Sequence, residues 1–117
     1  MALLKLNFKK QEAAQDMIKL IEKEKELSVA EAINFSINLE ICNRILKTGW
    51  GSIALPIWGH GDPDLEWSLL DNPCVEIEIS EDKAQLISKI ESKEGVDTET
   101  AIAYFLLFTM EALGYHI

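Results

Sequence analysis

Apolar positions along this chain follow two periods that alternate. Leu4-Lys5-Leu6-Asn7-Phe8-Lys9 alternates at period two, which predicts a short strand with Leu4, Leu6 and Phe8 on one face and Lys5, Asn7 and Lys9 on the other. From Gln11 to Glu26 the apolar residues Ala14, Met17, Ile18 and Ile21 fall at helical spacing with charged residues opposite, the pattern of an amphipathic helix against a core. Ser28-Val29-Ala30-Glu31 then spells Ser-x-x-Glu ahead of a second helical run. In that capping box each side chain satisfies the other residue's free backbone N–H. The helix it opens is expected to run to about Lys47 and to end at Gly49.

The same order returns later. Val75 to Ser80 alternates, Ser80 caps a helix carrying Ala84, Leu86, Ile87 and Ile90, and Asp97 caps a last helix from Thr98 to about Leu113, ended by Gly114. Leu27 to Ile33 recurs as Val96 to Ile102, an offset of 69 residues. Carried ungapped, that offset sets Leu6 on Val75, Phe8 on Ile77, Met17 on Leu86 and Ile37 on Leu106. One strand-helix-helix unit has been used twice, over residues 1–48 and 74–117.

Between them, residues 49–73 are different in kind. This connector holds Trp50, Trp58 and Trp67, four of the six glycines, and Pro56 and Pro63, so it is no single regular element. Its tryptophans are too large and apolar for a free linker and are expected to pack on the two units within one compact domain. Partner binding is the second role open to Trp58 and Trp67. The last helix raises the same question, because Tyr104, Leu107 and Phe108 extend its apolar stripe beyond what one core needs. The partner unit, the connector or a subunit interface is expected to cover the excess.

Composition narrows the functional classes. With 117 residues, 48% apolar and 26% charged, the chain has the length and makeup of one folded domain. Cys42 and Cys74 are far apart and lie in apolar surroundings, so both read as reduced core residues. Neither a signal peptide nor a membrane-spanning run is evident, and a cytoplasmic protein is expected. The net charge of −9 is uneven. Residues 1–50 carry eight Lys/Arg against seven Asp/Glu, whereas residues 51–117 carry three against thirteen, so the second half repels polyanions. His60-Gly61-Asp62-Pro63-Asp64-Leu65-Glu66 gathers an imidazole and three carboxylates, but its spacing matches no metal motif and its Gly and Pro read as a polar turn. His116 lies two residues from the end of the sequence and reads as part of a frayed terminus. No catalytic arrangement, metal site or cofactor is expected, and the chain does not read as an enzyme.

The ribbon strand Leu4 to Lys9, the turn Leu27 to Ile33 into the second helix, and the same plan from Val75 to Leu113 together resemble the ribbon-helix-helix family of Arc, MetJ and CopG-like proteins. The resemblance implies a mainly α fold with one short two-stranded antiparallel ribbon. With the unit duplicated, it implies a tandem pseudo-dimer of four main helices. It implies a DNA-associated transcriptional regulator in which Lys5, Asn7 and Lys9 read bases in the major groove of double-stranded DNA, while the helix start at Ser28 and Val29 seats a phosphate. The second copy departs from that pattern with Glu76, Glu78 and Ser80 on its outward face and Asp97 and Glu99 at its helix start. If the two strands of one chain pair together, Lys5 and Lys9 are expected across from Glu76 and Glu78. The competing class is a protein-interaction module, an antirepressor or modulator, that engages a protein partner or a second copy through its acidic face, last helix or connector.

Overall fold

A computed structural model of the chain describes residues 2–48 and 70–114. The elements run β1 (Ala2–Asn7), α1 (Glu12–Lys25), α2 (Val29–Ser36), α3 (Leu39–Thr48), β2 (Cys74–Ile79), α4 (Glu81–Glu94) and α5 (Thr98–Ala112). The protein is mainly α, with one short antiparallel ribbon made by β1 and β2. The register sets Ala2 on Ile79, Leu4 on Ile77, Lys5 on Glu76 and Asn7 on Cys74.

Alternation works as expected on the inner face of the ribbon, where Leu6 and Ile77 are buried and Leu4 and Val75 half-buried. Phe8, just past the end of β1, continues this face into the core and is fully buried. Above the ribbon, α1 packs on α2 and α5, while α5 packs on α2, α3, α4 and β1. From Ala101 to Met110 only Tyr104 of α5 escapes full burial. The apolar excess of this helix is thus taken up inside a single chain.

The starts of two helix pairs keep the 69-residue offset. α1 and α4 start at Glu12 and Glu81, and α2 and α5 at Val29 and Thr98, each pair 69 residues apart. In the ribbon it slips. Burial matches Leu6 with Ile77 and Phe8 with Ile79, which are 71 residues apart, so the expected pairing of Leu6 with Val75 as equivalents is replaced by one shifted two residues. The difference lies in the strand-to-helix connection. Three residues, Lys9-Lys10-Gln11, separate Phe8 from α1, whereas Ser80 alone separates Ile79 from α4.

A second difference is that the helix expected to run unbroken to Lys47 is two helices. Ile37 adopts an extended conformation (φ −89°, ψ 96°) after Ser36, and Asn38 Oδ1 then accepts from Ile41 N at 3.0 Å, capping α3. Ser36 Oγ donates back to Ala32 O at 3.0 Å, and Asn38 Nδ2 donates to Phe35 O at 3.3 Å. Polar side chains that bond their own backbone compete with helix propagation. At the matching positions α5 has Ala103, Phe105 and Leu107 in place of Asn34, Ser36 and Asn38, and it continues for 15 residues.

The expected terminator Gly49, the connector tryptophans Trp50, Trp58 and Trp67, the His60 to Glu66 turn and His116 lie outside the described residues.

Candidate functional site

The outward face of the ribbon carries Leu3, Lys5 and Asn7 from β1 and Cys74, Glu76 and Glu78 from β2, all exposed. Phe8 N donates to Pro73 O at 3.0 Å, which makes the even-numbered β1 residues the hydrogen-bonded pairs. Leu3 with Glu78, Lys5 with Glu76, and Asn7 with Cys74 are therefore non-hydrogen-bonded pairs, whose side chains stand closest together. One lysine shares this face with two glutamates.

Lys9 is not part of it. β1 ends at Asn7, and Asn7 Oδ1 accepts from Lys9 N at 2.9 Å, closing a local turn that carries Lys9 off the ribbon. The residue facing Glu78 is Leu3 rather than Lys9. That turn also engages the amide oxygen of Asn7, one of the two groups with which an asparagine reads adenine. Cys74, expected in the core, is exposed at the ribbon end, while Cys42 is buried and its thiol is pushed up by desolvation.

Both places where a phosphate is expected to dock hold carboxylates. Ser28 Oγ accepts from Glu31 N at 3.2 Å and Ser28 N donates to Glu31 Oε1 at 3.1 Å, so the capping box closes as expected. The bonds from the Ser28 backbone and side chain hold the Glu31 carboxyl below the usual glutamate range. Val29, the other residue expected there, is half-buried. At the second helix start Asp97 Oδ1 accepts from Thr100 N at 2.8 Å. Glu99 reaches further, its Oε2 accepting from Asn7 N at 3.3 Å and tying α5 to the outer edge of β1. On the opposite edge Asn34 Nδ2 donates to Glu78 O at 3.0 Å. A helix N-terminus is a ready anion site only while its N–H groups and dipole face a ligand; here acidic side chains of the chain itself stand at both.

Of the aromatic residues expected to meet a partner, Tyr104 is half-buried and Phe108 is 5% exposed; Trp58 and Trp67 fall outside the described residues. Sequence pattern did not single out the residues that the fold leaves open, Leu3, Phe35 and Leu39, or the lysine beside them. Lys83 Nζ donates to Asn34 O at 2.6 Å and to Asn34 Oδ1 at 2.5 Å, and burial lowers its pKa. The only sequence signal there was the run of helix-competing side chains at Asn34, Ser36 and Asn38.

Among the described residues no group of three or more His, Cys, Asp or Glu is placed to hold a metal ion, and no helix is long and apolar enough to cross a membrane. No protein-family model, curated protein or solved structure matches the chain.

Proposed function

We propose that the chain is a ribbon-helix-helix-like pseudo-dimer folded from one polypeptide and that it works as a protein-interaction module rather than by reading DNA through its ribbon. The pseudo-dimer is supported by helices that repeat at an offset of 69 residues around a ribbon whose two strands come from the two halves. An offset of 71 in the ribbon makes Lys5 and Glu76 equivalent positions, and they are also register partners. A pseudo-two-fold axis then passes between them.

The observation that carries the functional reading is this central pairing of Lys5 with Glu76, beside Glu78 on the same face. A DNA-reading ribbon supplies net positive charge to two phosphate backbones, because the released counterions provide most of the affinity. This ribbon supplies one lysine and two glutamates, with Glu31, Asp97 and Glu99 at the flanking helix starts. The DNA-associated alternative needs either two β1 strands from two chains paired into a basic ribbon, where this chain pairs β1 with β2, or a more basic partner beside it on the DNA. Fluorescence-anisotropy titration of a mixed-sequence duplex at low salt tests the reading. No saturable binding is expected; salt-dependent binding that weakens in Lys5→Ala would instead establish the ribbon as a DNA face.

A further inference from the structure

Leu3, Phe35 and Leu39 are the exposed large apolar residues among those described, at 55%, 42% and 59% exposure. Leu3 faces Glu78 across the ribbon. Glu78 lines a groove with Leu27, Ala30, Phe35 and Lys83, between the α1–α2 turn and the start of α4. Lys83 also lines the adjoining groove with Leu39, Ser80 and Leu86. Phe35 and Leu39 thus line two adjoining grooves that share Lys83. Lys25 closes one side, its Nζ 5.8 Å from the centre of the Phe35 ring.

The other half of the molecule shows what this flank lacks. At the repeat offsets the counterparts of Phe35, Leu39 and Lys83 are Tyr104, Phe108 and Ala14. Tyr104 is half-buried, Phe108 nearly buried and Ala14 fully buried within the chain. The helical counterparts are covered where Phe35 and Leu39 are open, while Cys74, the ribbon counterpart of Leu3, is exposed like it.

We propose that two copies of this chain associate through the open flank, with Phe35 and Leu39 at the centre of a two-fold interface. Charge selects a second copy as the occupant. Most of a −9 chain repels another, but here three carboxylates, Glu31, Glu78 and Asp82, stand among three lysines, Lys25, Lys83 and Lys89. A patch with equal numbers of both signs lets a two-fold arrangement set lysines of one copy against carboxylates of the other. Lys83 gains most from this. It is half-buried, and both of its hydrogen bonds go to neutral oxygens of Asn34, so a facing carboxylate supplies the counter-charge it lacks among the described residues.

Sedimentation equilibrium of the full chain, in reductant because Cys74 is exposed, tests the proposal over micromolar to near-millimolar concentration. A reversible monomer–dimer equilibrium is expected for the wild type. Phe35→Asp and Leu39→Asp should each raise the dissociation constant at least tenfold while circular dichroism shows the helical fold retained. Cys74→Asp, at the ribbon position equivalent to Leu3, should leave the equilibrium unaltered. A wild type that stays monomeric throughout, or a dimer indifferent to both Phe35→Asp and Leu39→Asp, overturns the proposal. DNA binding by the ribbon is read separately, so failure here leaves the preceding reading standing.

Discussion

Lys5 and Glu76 face one another at the centre of the ribbon as register partners, and in the proposed pseudo-dimer they are also equivalent positions. Cross-strand neighbours of opposite charge are mildly stabilising in an exposed non-hydrogen-bonded pair, whereas the same pair nearly cancels the field the face presents to a polyanion.

Lysine in place of the two ribbon glutamates should give this face the charge a polyanion needs. Glu76→Lys with Glu78→Lys converts the outward face to three lysines. It should bring salt-dependent binding to mixed-sequence duplex, with a log–log slope of about −0.9 for each phosphate engaged. Anisotropy titration at several salt concentrations reads the slope directly. A double variant that does not bind would show that something other than ribbon charge prevents binding.

The two halves end their first helices in the same way with different residues. Glu26 closes α1 at φ 54° with its N–H on Glu22 O, and Gly95 closes α4 at φ 64° with its N–H on Glu91 O. The next N–H groups, of Leu27 and Val96, return to the same carbonyls at 3.0 and 3.3 Å. A side chain in this left-handed conformation costs about 1 kcal/mol relative to glycine. Glu26→Gly should accordingly stabilise the fold by about 1 kcal/mol, and Gly95→Ala should destabilise it by a similar amount. No atom lies within 4 Å of the added Cβ at Gly95, so the cost there is backbone conformation alone. Urea denaturation of both variants checks the sign and size.

Asp97 should contribute to the acid limb of stability. Hydrogen bonding from Thr100, through side chain and backbone, holds its carboxyl below the ordinary aspartate range. A carboxyl whose folded pKa is depressed gives stability that is present above its unfolded pKa and lost as pH falls through the folded one, a window below about pH 4. Asp97→Asn keeps a capping acceptor and removes this part of the slope, whereas Asp97→Ala removes the cap and costs about 1 kcal/mol at neutral pH. Urea midpoints at neutral and acid pH separate the two: the Asn variant should lose less than the wild type between them.

The helical half of the fold was legible because its signals are local. Ser28 with Glu31, Ser80 and Asp97 cap where their spacing places them, and the 69-residue offset holds at the starts of both helix pairs. Two features were not legible for the same physical reason, competition between side chain and backbone. Asn7 turns the chain early and removes Lys9 from the ribbon. Asn38 starts a new helix where apolar periodicity continues unbroken through Ile37 and Ile41. The ribbon register depends on long-range pairing, and a two-residue difference in connection length shifts it without disturbing the alternation that an ungapped repeat follows. The open flank depends on which copy of a repeated surface the chain covers, and periodicity is identical for both.

Closure of the ribbon within one chain is the claim on which the account turns, and Asn7→Cys measures it with a single substitution. Asn7 and Cys74 are a non-hydrogen-bonded pair, and such a pair has a Cα separation of about 4.5 Å, within the span of a disulfide. Mild oxidation followed by non-reducing electrophoresis and peptide mapping should give a 7–74 bond in a species of monomer mass, at a rate independent of protein concentration. Covalent dimers joined through position 7, with no 7–74 bond within one chain, would mean that β1 strands pair between chains, and the basic-ribbon, DNA-reading arrangement would then displace the one described.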